Sequence, residues 1–179
     1  MGKPWYRRFF DRSQEGTIET TEVNTDQEDA EVQFGLGLKF ANESSPNQDY
    51  AQAAHWYRKA ADQSHVLAQF NLGVMYARGQ GVNRDEATAA MWLGKAAHQG
   101  DAGAQYHLGM RHHRASLDGQ RNNAPESRLE AFKWLHLAAA QGYKDSDAAC
   151  EFVALGMTQQ EVTAARHRTA AFVVVNPSR

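Results

Sequence analysis

One cysteine, Cys150, stands in the whole 179-residue chain. A single thiol excludes an internal disulfide framework and suits a reducing compartment or a cysteine-poor periplasmic one. Charge of one sign is missing too. Nineteen Lys and Arg against twenty-one Asp and Glu leave a formal net charge of −2. No large basic field is present to hold nucleic acid. Long apolar runs are also absent. None approaches the roughly 20 residues that a membrane helix needs. The opening stretch, Met1 to Gly16, is charged and has no apolar core of the kind that directs secretion. The expectation is therefore a cytoplasmic protein with no integral membrane span.

Signatures of chemistry are just as scarce. The glycines at Gly79-Gln80-Gly81 lack the Lys-Ser/Thr of a phosphate loop and a preceding strand. No Ser-His-Asp or Cys-His arrangement has a supporting context. His107, His112 and His113 cluster, but Arg111 and Arg114 flank them and would repel a cation. No metal, cofactor or catalytic residue is expected, and Cys150 reads as an inert buried thiol.

Repetition fills the chain instead. Trp56, Trp92 and Trp134 are each followed four and five residues later by Ala-Ala, at 60–61, 96–97 and 138–139. Gln63, Gln99 and Gln141 follow, and then Ser64, Gly100 and Gly142. The tryptophans are 36 and then 42 residues apart. Self-similarity at such a period marks a stacked repeat. Upstream of each Trp lies an apolar stripe of helical period with a Leu-Gly pair inside it: Leu36-Gly37, Leu72-Gly73 and Leu108-Gly109. A mid-helix glycine costs about 1 kcal/mol against alanine. The reason expected here is steric, since the missing Cβ lets a neighbouring helix approach. Asp85 is placed to cap the helix that carries Trp92. Gly100 suits a left-handed helix end, and Ser64 at the matching position implies backbone strain.

The set Ala68, Leu72, Gly73, Tyr76, Gly79, Gly81, Val82, Asp85, Ala89, Trp92, Lys95, Ala96, Ala97, Gln99 and Gly100 resembles the Sel-1-like repeat family, relatives of the tetratricopeptide repeat. The resemblance covers about residues 30–142 and a closing helix. It implies an all-α fold: a right-handed α-solenoid of antiparallel helix pairs, about three repeats long. It also implies an adaptor or scaffold, many relatives being bacterial, and not an enzyme.

Three regions are expected. Residues 1–28 read as a flexible segment, with an aromatic-basic docking motif of Trp5, Tyr6, Phe9 and Phe10. Residues 29–157 form the solenoid, including a partial fourth repeat. Residues 158–179 hold a capping helix, opened by a Thr158-x-x-Glu161 box, and a tail. About seven or eight helices result.

By similarity to tetratricopeptide-type repeats, the residues two before and two after each Leu of Leu-Gly face a concave groove. These are Phe34 and Leu38, Phe70 and Val74, and Tyr106 and Met110, with Ala41, Ala77 and His113 further along the stripe. Such a groove suits a helix or extended peptide of a partner protein. The competing reading is that the aromatics fill gaps between helices. A different role, as accessory subunit of an enzyme or membrane-associated complex, would run through residues 4–10, which also suit peripheral membrane contact.

Overall fold

The computed structural model describes residues 29–42, 48–118 and 123–172. Among them are eight helices and no strand. They are α1 (Ala30–Ala41), α2 (Tyr50–Asp62), α3 (Val66–Arg78), α4 (Glu86–His98), α5 (Ala102–Leu117), α6 (Ala124–Ala140), α7 (Ser146–Leu155) and α8 (Gln159–Ala171). Each helix packs on the next as far as α7, and α8 folds back past α7 onto α6. The result is an α-solenoid, in which each repeat touches only the next.

Helix starts follow from short acids and one hydroxyl. Asp85 Oδ1 accepts from Ala87 N at 2.9 Å and from Thr88 N at 3.2 Å. Asp49 does the same for α2. Thr158 and Glu161 form a reciprocal capping box at α8. His65 caps α3 through its ring: Ala68 N donates to Nδ1 at 3.2 Å. Gly79, Gly100 and Gly142 take positive φ at helix ends, and so does Ser64, at φ 66°.

Glycine governs how closely the two helices of a pair approach. A Cβ on Gly73 would lie 2.8 Å from Leu93 Cγ, and one on Gly109 would lie 2.7 Å from Leu135 Cγ. Gly37 faces the Tyr57 ring in the same way. The partner is in every case the residue after the repeated tryptophan.

Three core clusters run along the stack. Their composition reveals a direction. Trp92 packs in the cluster of the first repeat, with Ala53, Ala54 and Ala61. Trp134 packs in the cluster of the second, with Leu93, Ala96 and Ala97. Each tryptophan therefore leans back on the preceding repeat. Trp92 and Trp134 are buried, whereas Trp56, in the first repeat, is only half-buried.

The third repeat is not a copy with a longer loop. Its helices, 16 and 17 residues long, exceed α3 and α4, which have 13 each. The six residues by which the third repeat exceeds the second thus lie partly in helix, with Leu117 ending α5 and Pro125 in the first turn of α6.

Candidate interaction surface

Glutamines tie the stack together. Gln69 is buried in α3; its Nε2 donates to Ala61 O of the previous repeat at 3.2 Å. Its Oε1 accepts from Gln99 Nε2 at 2.7 Å. Gln105 repeats the device, donating to Ala97 O at 3.2 Å and accepting from Gln141 Nε2 at 2.9 Å. Gln33 accepts from Gln63 at 2.8 Å. The two carbonyls reached, of Ala61 and Ala97, belong to the second alanine of the first two Ala-Ala pairs. These buried polar groups fix the spacing of one repeat on the next.

The apolar stripe on the first helices leans forward, opposite to the tryptophans. Phe34 stacks on His65 at 4.5 Å and joins Ala68 and Leu72 of the next repeat. Phe70 and Val74 join Ala104 and Leu108. Tyr106 and Met110 pack toward Cys150 and Val153 of α7, and the Tyr106 ring lies 5.4 Å from that of Tyr143. Phe34, Phe70 and Val74 are consequently buried. Leu38, Ala41, Ala77, Tyr106, Met110 and His113 remain half-buried, forming the accessible edge. Trp5, Tyr6, Phe9 and Phe10 lie outside the described residues.

One repeat further on, the stripe loses its cover. Met110 and His113 advanced by 42 residues give Phe152 and Leu155 on α7. No first helix follows α7 among the described residues, because α8 turns back to α6. Phe152 is 65% exposed and Leu155 86%. The His113 ring meets Phe152 edge-on at 5.6 Å, which makes α5 and α7 one surface. Leu117, one turn beyond His113, is also exposed. Arg78, Arg111 and Arg114 stand exposed near the ends of α3 and α5. Sequence reasoning missed Phe152 and Leu155. The offset that finds them was present, but Cys150-Glu151 in place of Leu-Gly hid the register.

The three histidines separate. His107 lies between Phe70 and Tyr106, and burial, aided by Arg78, lowers its pKa. His112 faces α6; burial lowers its pKa against the opposing pull of Glu130. His113 faces Phe152. No three His, Cys, Asp or Glu side chains converge on a metal position among the described residues. Cys150 is buried in the third cluster, and burial first, then Asp147 and Glu151, push its thiol up to about 11. At neutral pH it stays protonated and a poor nucleophile.

Fold and surface together define a class: a helix-repeat solenoid with a stapled core and an extended apolar face at one end. The Sel1 repeat model matches residues 30–65, 66–101 and 102–143. The chain belongs to the Sel1 repeat family. That family generally mediates protein–protein interaction, and its members are typically non-catalytic scaffolds. Two solved structures agree. One is c5321, a protective antigen present in uropathogenic Escherichia coli strains that displays an SLR fold, with TM-score 0.70, 29% identity, and cover of 83% of this chain and 30% of that one. The other is a Sel1 repeat protein from Oxalobacter formigenes, with TM-score 0.58, 33% identity, and cover of 69% of this chain and 88% of that one. This chain thus spans under a third of the length of c5321. No curated protein matches it in sequence. Among the described residues, no helix is long and apolar enough to cross a membrane.

Proposed function

We propose that this chain is a non-enzymatic adaptor that holds an apolar helix or extended peptide of a partner protein along its first-helix layer. The observation that carries the reading is the exposure of Phe152 and Leu155, the uncovered continuation of a stripe that the repeats otherwise bury. Exposed large apolar side chains that join into a patch mark interaction sites, whereas isolated ones do not. Here Phe152 and Leu155 continue into His113, Met110 and Leu117. The half-buried Leu38, Ala77 and Tyr106 extend the track toward the first repeat, with Phe34, Phe70 and Val74 as its floor. Arg78, Arg111 and Arg114 border it and favour an acidic flank on the partner.

The alternative, an accessory subunit docked through Trp5, Tyr6, Phe9 and Phe10, is supported by the composition of that segment alone.

Photo-crosslinking in native cells separates the two. A benzophenone side chain at Leu155 should capture a discrete protein partner, while one at the exposed Lys144 should not. Capture from position 6 alone, with nothing from 155, would transfer the role to the N-terminal segment.

A further inference from the structure

The last described residue, Phe172, sits in a defined place. Its ring meets Trp134 edge-on at 5.1 Å and lies 5.9 Å from the His98 ring. Lys133 Nζ is 5.8 Å from its centroid, and Leu137 packs in the same cluster. Phe172 therefore plugs the seam between α4 and α6 on the second-helix layer.

The same seam recurs one repeat earlier, between α2 and α4, and no described side chain plugs it. His98 set back by 36 residues is Asp62; Lys133 and Leu137 set back by 42 are Met91 and Lys95. All three line an open groove of about 670 Å3. Its apolar surface comes from Ala61, Ala90 and Met91, the last 48% exposed. Gly94 stands where the third repeat has His136, and a Cβ on it would meet nothing within 4 Å. His98 belongs to both places: it touches Phe172 and lines the groove.

We propose that Val173-Val174-Val175 crosses His98 and seats in the α2–α4 groove, making the C-terminal tail an intramolecular strap over the second-helix layer. Length fits. Extended residues rise about 3.3 Å each, so three span about 10 Å. His98, which lines the groove, has its ring 5.9 Å from that of Phe172, so three residues are enough to enter it. Chemistry fits as well. β-Branched valines favour extended backbone, and their methyls match an alanine, methionine and glycine surface. Pro177 follows at once, and Asp62 and Lys95 give the polar exit a wet rim. The strap does not rest on the adaptor reading, because it covers the opposite layer.

Two measurements on the full chain test it. In the first, Met91→Cys with Val175→Cys is placed on a Cys150→Ser background and oxidised mildly with diamide. The expected product is a monomer two hydrogens lighter, formed much faster than from a Leu155→Cys, Val175→Cys control pair. In the second, Cys150 is kept and peroxide oxidation of Met91 is followed by mass spectrometry. Val174→Asp with Val175→Asp should raise the Met91 rate severalfold without lowering helicity. Cross-linking no faster than the control, or a Met91 rate unchanged by the two aspartates, would overturn the strap. Disulfide-linked dimers in place of the light monomer would also overturn it, assigning the groove to a second copy.

Discussion

Gly73 and Leu93 are in contact so close that a methyl on Gly73 would lie 2.8 Å from Leu93 Cγ and 3.1 Å from the Leu93 backbone nitrogen. The first distance involves the branch point of a buried side chain and the second a helix backbone. Neither yields cheaply. Alanine gains about 1 kcal/mol over glycine in a free helix interior, while overpacking costs about 1–3 kcal/mol. Gly73→Ala should therefore lower stability by about 1 kcal/mol net, read from a denaturant midpoint. Gly35→Ala, with nothing within 4 Å of its Cβ, should raise it by about 0.5–1 kcal/mol. Equal effects at the two positions would show that helix approach does not select the Leu-Gly pair.

The tryptophans are alike in sequence and should differ in energy. Trp134 is 2% exposed and Trp92 6%, and each leans on a preceding repeat. Truncating either to alanine should cost about 3–5 kcal/mol. Trp56→Ala should cost about 1–2 kcal/mol, since its ring is only half-buried. Thermal or urea unfolding of the three variants gives the comparison.

Gln105→Ala should cost about 2–3 kcal/mol, because the residue is fully buried and makes one hydrogen bond to the preceding repeat and one to the second helix of its own. Gln63→Ala, at an exposed position, should cost under about 1 kcal/mol. A Gln105 variant as stable as wild type would remove the glutamines from the account of repeat spacing.

Ser64 holds φ at 66°, where an L-residue pays about 1–2 kcal/mol. Ser64→Gly restores the residue of the other repeats and should stabilise by about 1 kcal/mol. A small rise in Tm checks it.

Acid should release α8 first. Arg168 bonds Glu126 across to α6, with Nη2 to Oε2 at 2.9 Å, and this hydrogen bond lowers the Glu126 pKa. Thr158 N and Arg128 lower that of Glu161. A carboxylate depressed in the folded state contributes stability that is complete above its unfolded value and is lost as pH falls through its folded value. The loss therefore begins below the ordinary glutamate value of 4.5. Hydrogen exchange should show α8 amides opening there before those of α3 and α4.

The interior of the stack was legible in the sequence because every repeat must solve the same packing problem. Leu72-Gly73, Trp92 and Ala96-Ala97 sit where their spacing places them, as do the Asp85 cap and the Thr158–Glu161 box. The ends were not legible, since an end is defined by a missing neighbour. Trp56 carries the same motif as Trp92 yet has no earlier described repeat to lean on. Phe152 and Leu155 carry the stripe yet have no later helix to cover them. The glutamine pairing also escaped reading. Gln69 and Gln99 are 30 residues apart, and their meeting depends on the angle of the helix pair. His65 capping α3 has no strong sequence signal, because a ring nitrogen rarely takes that place.

Binding affinity for the partner captured at Leu155 tests the adaptor reading most directly. The variant Phe152→Glu, Leu155→Glu changes two exposed side chains, so its melting should match wild type. Each anchor of an interface contributes about 2 kcal/mol or more, equivalent to roughly a 30-fold change in Kd. Calorimetric titration should therefore show Kd weakened by at least about 100-fold with the fold intact. A Kd unchanged by both substitutions, in a protein that melts as wild type, would contradict a partner site on the open end of the first-helix layer.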